Sequence, residues 1–460
     1  MLISNLFSVL KKRQHIWRLF KKRQYAFLFA FHRNNLPLFK EGIVICHLKL
    51  FRLFLIEPKW NNSIFFVIGL VATGRFETAK EKLHLLQKYA SNQFIMSFFF
   101  PYFPEVVKSI YEKNGKTESL FFASLCATLK DFKKLNQALK INSRKIKKNP
   151  HYFLLKNFLE DNEQERLDNL NQFLQYYDLE PIVLSRETNK QFVCRLKNIR
   201  HITGINNPNT AIVTILVTNY NTQDYIESTL LSLLEQSYSN IEIIVIDDCS
   251  TDDSCNIIEK LAQKDSRIKL ITLKNNVGTY VAKNIGMSYA QGEFITCHDS
   301  DDWAHPRKIE LQLKPLLENT QLVATFSKWI RLDSEGLPYT RYIYPLLRLN
   351  PSSALFRREE IEENIGLWDW VRVGADSEFN TRLQLSFGSD KYYIINKPLT
   401  LGSHRNNSLM TNVDTGYING FSAQREQYSF AWNCWHVNQL KQNKKLKLPL
   451  YPICSFYKNN

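Results

Sequence analysis

At 460 residues the chain exceeds what one hydrophobic core usually organises, so two or three folding units are expected. A formal net charge of +16 makes it an attractant for nucleic acid, acidic lipid, diphosphate or anionic polymer without choosing among them. Eight cysteines scattered without a Cys-x-x-Cys pair, an opening with no apolar signal-peptide core, and no apolar run of the roughly 18–20 residues that span a bilayer exclude a disulfide scaffold, a zinc framework, secretion and integral insertion, and predict reduced cytosolic thiols.

Residues 1–60 mix basic triplets at 11–13 and 21–23 with Trp17, Phe20, Phe27 and Phe31. This composition suits either an anionic membrane surface or an ordinary solvated basic helix. Residues 61–200 read as an all-α domain and linker. Three stretches there, FFVIGLVATGRFETAKEKLHLL, LFFASLCATLKDFKKLNQAL and YFLLKNFLEDNEQERLDNLNQFL, each pair an apolar helix, a polar break and an amphipathic helix. The first resembles tetratricopeptide-like repeats, with Gly74, Arg75 and Phe76 at the turn, although the later stretches lack that Gly and their spacing is uneven. A unique helical bundle is the alternative.

A turn-rich boundary follows at Gly204, Asn206, Asn207 and Pro208, opening a domain of residues 205–410 before a helical tail of 411–460. Buried strands are expected at Ala211 to Val217, Ile241 to Ile246, Arg267 to Leu273 and Glu293 to Cys297. Helices come between them, one capped by Asn221 or Thr222, one capped by Thr251, and one over Val281 to Tyr289. This alternation predicts an α/β domain with a mostly parallel sheet covered on both faces.

Ligands of such sheets bind beyond the carboxyl ends of the strands. The first strand runs into Thr218, Asn219, Tyr220 and Asn221, the second into Asp247 and Asp248, and the fourth into His298, Asp299, Ser300, Asp301 and Asp302. Carboxylates crowded together would repel a diphosphate unless a divalent cation stood between, and oxygen ligands imply Mg²⁺ or Mn²⁺. Alone, Asp-x-Asp is most often a solvated turn or a cap. Placed after a buried strand and two other strand-end motifs, it signals a site.

The segments VTILVTNYNTQDYIESTLLSLLEQSYSNIEIIVIDDCSTDDS, NNVGTYVAKNIGMSYAQGEFITCHDSDDWAHPRK and VRVGADSEF resemble family 2 glycosyltransferases of the GT-A fold, a Rossmann-like α/β architecture, over about residues 209–405. Within that family the chain is similar to bacterial enzymes that build capsular and other surface polysaccharides. The resemblance implies an inverting transfer from a UDP-sugar to a saccharide, lipid-linked or polyanionic acceptor. It implies that Thr218 and Tyr220 line the nucleotide pocket, that Asp248 binds the base, and that Lys283 and Asn284 lie near the donor. For Asp247 and Asp248 the structural alternative is helix capping; for Asp252 and Asp253 a first-turn dipole role is expected; for Lys283 the alternative is a surface lysine. Asp299 falls on the ribose side and at the metal, Asp301 at the metal, and Asp302 behind them; His298 reads as a satisfied strand-end histidine.

Transfer needs a base for the acceptor hydroxyl. Asp376 matches the Asp of the family's Glu-Asp motif, with Ala375 in place of Glu, and Glu378 is the alternative; a helix-cap role for Asp376 after Gly374 competes. His404 is a candidate third metal ligand and Arg405 a candidate diphosphate contact. The segment FNTRLQL offers Arg382 without a following Trp, against the Q-x-x-R-W pattern of processive members. Two rival readings remain, a catalytically silent scaffold and, with no recognised motif to support it, a nucleic-acid binder. The expected location is cytoplasmic, on the inner face of the cell membrane.

Overall fold

The computed structural model describes residues 12, 14–21, 24–141, 148–187, 190–199, 211–339, 344–405, 408–412, 414–417 and 421–449. The boundary expected at residues 204–208 lies outside the described residues, as do parts of both basic triplets and Cys454. Two compact units are present, one within residues 1–85, 360–391 and 407–460, the other within 86–359 and 392–406. Among the described residues the remaining seven cysteines are free thiols, and no helix is long and apolar enough to cross a membrane.

In the first unit the aromatic N-terminal segment is helical at Tyr25–His32 and Leu38–His47. Lys40 Nζ lies 4.0 Å from the centre of the Trp17 ring, a cation–π contact. The first predicted helix pair forms as Ile64–Ala72 and Phe76–Glu81. Between them Gly74 takes a φ of +77°, a left-handed turn that glycine adopts without a Cβ clash. The long helix Ala423–Lys441 packs on Tyr25–His32, and Arg52 grips Glu426 with two charge-assisted hydrogen bonds of 2.9 and 2.7 Å.

The second unit contains the other two pairs, Leu120–Thr128 with Phe132–Lys140 and His151–Lys156 with Glu163–Tyr176. Ser119, Asp131 and Asn162 cap three of these helices through their side chains. Lys130 stands at φ +57° in the turn of the first of these two pairs, so a non-glycine residue takes the left-handed place at a cost of about 1 kcal/mol.

Two short strands, β1 (Ile182–Leu184) and β2 (Leu196–Asn198), pair antiparallel. The main sheet is built from β3 (Val213–Asn219), β4 (Ile241–Asp247), β5 (Ile268–Thr272), β6 (Phe294–Asp299), β7 (Trp303–Ala304), β8 (Ala324–Leu332), β9 (Pro338–Tyr339), β10 (Arg348–Leu349), β11 (Leu355–Arg357) and β12 (Tyr392–Ser403). Its order is β5-β4-β3-β6-β11-β8-β12-β7, with β9 and β10 against β8. Because β11 opposes both β6 and β8, while β12 runs parallel to β8, the six longest strands point one way and only two- and three-residue strands oppose them. The expected α/β sheet is therefore present, extended by β8 and β12.

Every residue of β4 is buried, and so is all of β3 except Thr218, as strands covered on both faces require. On one face Val213, Ile215 and Val217 of β3 and Ile243 and Val245 of β4 meet Leu230, Leu233, Ile309 and Leu313 of the flanking helices. The predicted strands agree with the observed ones to within two residues. Two caps do not. The helix Ile226–Leu234 has Tyr225 at its N-cap and no side-chain cap; Asn221 sits at φ +51° and accepts instead from Thr251 N at 2.8 Å. The helix Ser254–Lys264 follows Asp253 rather than Thr251, and Asp252 ties the start of this helix to the loop at Gln223 by accepting from Ser254 N and Gln223 N. The Asn221 side chain thus bonds across loops in preference to the helix that follows it.

Candidate active site

Register sets the spacing at the strand ends. Thr218 of β3 lies directly beside Asp299 of β6, and Asn219 beside Asp247 of β4. Asp247 is buried and shapes the turn, accepting from Asn219 Nδ2 at 2.6 Å and Ser250 N at 2.9 Å. Its role is structural, through the turn and not through a helix cap. Asp248 is also buried, with Oδ1 accepting from Val277 N at 2.7 Å and Oδ2 from Gly278 N at 2.8 Å. It thus fixes the loop that enters the helix Thr279–Tyr289, where Gly278 takes a φ of +89°.

Thr218 and Thr279 share a hydroxyl hydrogen bond of 2.6 Å across the mouth of this loop. Tyr220 is nearly half exposed, its ring open to a ligand. Lys283 and Asn284 are each only 1% exposed, which removes the surface-lysine reading; the Lys283 ammonium lies 5.3 Å from the centre of the Tyr280 ring.

In the acidic run the three carboxylates differ. Asp299 accepts from Ser352 Oγ at 3.0 and 3.1 Å. Asp301 accepts from Arg405 Nε at 2.6 Å, an ion pair whose partners are both mostly shielded from solvent. Asp302 is buried: Oδ1 accepts from Ser403 N at 3.0 Å, and Oδ2 has no hydrogen-bond partner. Burial, together with the charges of Asp301 and Asp299, pushes the Asp302 carboxyl well above the usual range.

Beneath the run lies a polar pair that sequence reasoning did not anticipate. His298 Nε2 faces the Asp302 carbonyl at 3.3 Å, and because a carbonyl only accepts, the proton is assigned to Nε2. Nδ1 then accepts from Lys308 Nζ at 2.8 Å. Burial, and next the Lys308 charge, hold His298 well below its ordinary pKa, so it is neutral and satisfied. Lys308 is wholly buried; burial brings its pKa down to about 8 although Asp302 and Asp299 favour its charge. Replacing Lys308 with Met removes this buried cation from behind the acidic run. Transfer is expected to fall about tenfold, roughly 1.4 kcal/mol, with little change in melting temperature. A large melting shift with unchanged specific activity would show that Lys308 serves packing alone.

Among the described residues no three His, Cys, Asp or Glu side chains gather closely enough to hold a metal ion. Asp299, Asp301 and His404 therefore do not form a closed three-ligand set. The His404 ring lies flat on Tyr339, centroids 3.5 Å apart, with Nδ1 buried and unbonded; burial and then Arg331 bring its pKa down to about 4. The donor chemistry nevertheless suits a hard cation. Mg²⁺-type sites use one or two carboxylates and complete their shell with water and substrate phosphate, a share that Asp301 and Asp299 meet.

In the first unit, Gly374 is the N-cap of the helix Ala375–Phe387 at φ +88°, with Asp376 half-buried in the first turn and not at the cap. Glu378 is fully buried, accepting from Arg382 Nε at 2.8 Å, Arg382 Nη2 at 2.9 Å and His436 Nε2 at 2.9 Å. This corrects its standing as the alternative base, because its carboxylate is committed to a buried ion pair with Arg382 and a hydrogen bond from His436. No local signal pointed to His436, which is 58 residues away.

Fold and strand-end site together define a GT-A type catalytic domain. Residues 214–371 match the model of Glycosyl transferase family 2. An uncharacterized glycosyltransferase of Haemophilus influenzae is 44% identical over 128 residues, 28% of this chain and 51% of its relative. The putative teichuronic acid biosynthesis glycosyltransferase TuaG of Bacillus subtilis is 34% identical over 144 residues, 31% of this chain and 57% of its own. The UDP-Glc:alpha-D-GlcNAc-diphosphoundecaprenol beta-1,3-glucosyltransferase WfaP of Escherichia coli is 41% identical over 120 residues, 26% and 46% of the two chains. The chain thus spans about half the length of these curated relatives. The structure of S. aureus TarS 1-349 in complex with UDP-GlcNAc aligns with a TM-score of 0.38 at 20% identity, covering 49% of this chain and 72% of that one.

Proposed function

We propose that the chain transfers a sugar from a UDP-sugar to a saccharide or lipid-linked acceptor of a bacterial surface polysaccharide, with inversion at the anomeric carbon. The observation that carries this reading is the register that sets Thr218 beside Asp299, with Asp248 and Asp301 at the same end of the sheet. The names of WfaP and TuaG, a UDP-Glc glucosyltransferase and a putative teichuronic acid enzyme, support the donor class and the polymer class.

Thr218, Tyr220, Asp248, Lys283 and Asn284 are assigned to the nucleotide, and Asp299 to the ribose side. Asp301 and Asp299 would hold a Mg²⁺ or Mn²⁺, which when bound offsets charge on the departing diphosphate. Arg405 would pass from Asp301 to the diphosphate. Asp376, by its match to the family motif, takes the acceptor proton.

A screen of nucleotide sugars with Mn²⁺ tests the proposal. Release of UDP that depends on acceptor and divalent ion is expected, and NMR of the product reads the anomeric configuration. No release from any donor by folded protein would favour the scaffold reading. For Asp248→Ala, the loss of two amide hydrogen bonds to a carboxylate, about 1.5–3 kcal/mol each, is expected to raise the donor KM at least tenfold. An unchanged KM would remove Asp248 from the nucleotide wall. Membrane-surface contact through Trp17 and Phe31, both nearly half exposed, belongs to the same proposal. Equal flotation with anionic and zwitterionic vesicles would count against it.

A further inference from the structure

In the second unit, helices within residues 86–150 and the loop bearing Tyr344 border an open groove of about 570 Å³. That volume lies in the range of ligand pockets, roughly 300–1,000 Å³. Its polar groups are well spread. Asn149 Nδ2 donates to Tyr344 Oη at 3.3 Å, Lys116 Nζ donates to Ser91 Oγ, and the Ser119 hydroxyl also lines the wall. Tyr111 stacks on Phe121 with centroids 4.8 Å apart, and both are almost fully buried, so the groove meets ring edges rather than open faces.

Charge supplies the second observation. Residues 86–150 contain twelve Lys or Arg against four Asp or Glu, so this seventh of the chain carries half of the net charge of +16. Lys88, Lys113 and Lys148 are exposed and lie within two positions of the lining residues Ala90, Gly115 and Asn149. Lys116 lines the groove itself, against the single lining carboxylate of Glu118.

Amide and hydroxyl groups suit sugar hydroxyls, and flanking ammonium groups suit carboxylate or phosphate substituents. A single-stranded nucleic acid needs exposed ring faces for its bases, and a membrane needs an exposed apolar face; the groove offers neither. We propose that it binds an anionic stretch of the acceptor glycan, apart from the sugar that receives the donor. The assignment rests on the glycosyltransferase reading and adds the acceptor's charge and its place of attachment.

The test is calorimetric binding of the full chain to a galacturonate hexamer, maltohexaose, a short single-stranded RNA and phosphatidylglycerol vesicles, with donor-dependent UDP release measured in parallel. The galacturonate hexamer is expected to bind at least tenfold more tightly than maltohexaose. Lys116→Ala combined with Asn149→Ala is expected to weaken it at least tenfold, and Ser91→Trp, which fills the groove from an exposed position, should do the same. Donor turnover onto a short neutral acceptor should be unchanged in both variants. Equal affinity for the two hexasaccharides, undiminished binding in both variants, or tighter RNA or vesicle binding lost in the same variants would each overturn the proposal. Galacturonate binding that behaves as expected in a chain that turns over no donor would overturn the catalytic reading and leave the groove a glycan site.

Discussion

Asp301→Ala is expected to lower sugar transfer at least a hundredfold, with loss of Mn²⁺-dependent UDP binding. The magnitude follows from removing one preorganised charge from a shielded site, about 2.7–4 kcal/mol in comparable electrostatic sites. Asp301 is the carboxylate of the run paired to a cationic side chain, Arg405, and not sealed into the protein as Asp302 is. Asp376→Ala should also abolish transfer yet leave UDP binding intact, since a base acts only on the acceptor hydroxyl. Titration calorimetry with UDP and Mn²⁺ beside initial rates separates the two. Full activity in either variant would sink the corresponding role, and weakened UDP binding in Asp376→Ala would move that residue from acceptor to donor.

Arg382→Met is expected to destabilise the protein by about 3–5 kcal/mol, because a buried pair that loses one member strands the other charge. Glu378, Arg382 and His436 are all wholly buried, and Arg382 also donates to the carbonyls of Ile365, Gly366 and Leu367. In a unit of this size such a loss corresponds to roughly 10 °C in melting temperature. A change below about 1 kcal/mol would mean that the triad is dispensable. Acid should act in the same direction. Burial alone would raise the Glu378 carboxyl, but Arg382's charge and the hydrogen bonds from His436 and Arg382 outweigh it, so the folded pKa lies below the usual 4.5. His436 is held below its usual 6.5 by burial first, and its buried, unbonded Nδ1 has no acceptor for a second proton. Both depressed values mean that the unfolded chain binds more protons. Stability should therefore decline as pH falls below about 6.5 from His436, and further below about 4.5 from Glu378. His436→Gln should narrow the upper window in melting curves taken from pH 8 to 5, with His298 and His404, also held low by burial, retaining part of it.

The central strands were legible because β3 to β6 are apolar or β-branched runs bounded by turn residues, the signature of strands covered on both faces. The strands β8 and β12 were not. Ser327, Lys328 and Arg331 break the apolar run of β8, and Pro398 interrupts β12 where its register with β8 shifts. The strand β11 has only three residues. At the site, the acidic run could be read from its place after a strand. What each carboxylate touches could not, since Ser352, Arg405, Ser403 and the 277–278 amides arrive from distant parts of the chain. The caps misled for a related reason: Asn221 accepts from Thr251 N, 30 residues away, and not from an amide of the helix that follows it.

The pairing of Thr218 with Asp299 makes the hydrophobic interior a ruler for the chemistry. A slip of one residue between β3 and β6 would turn every side chain of β3 to the other face of the sheet. Val213, Ile215 and Val217 would leave their contacts with the flanking helices, and Thr218 would move by a residue against the carboxylates. Residues buried below the strand ends thus set the distance between Thr218 and the carboxylates. Substitutions deep in that layer, such as Ile215→Ala, should be read out in donor affinity as well as in melting temperature.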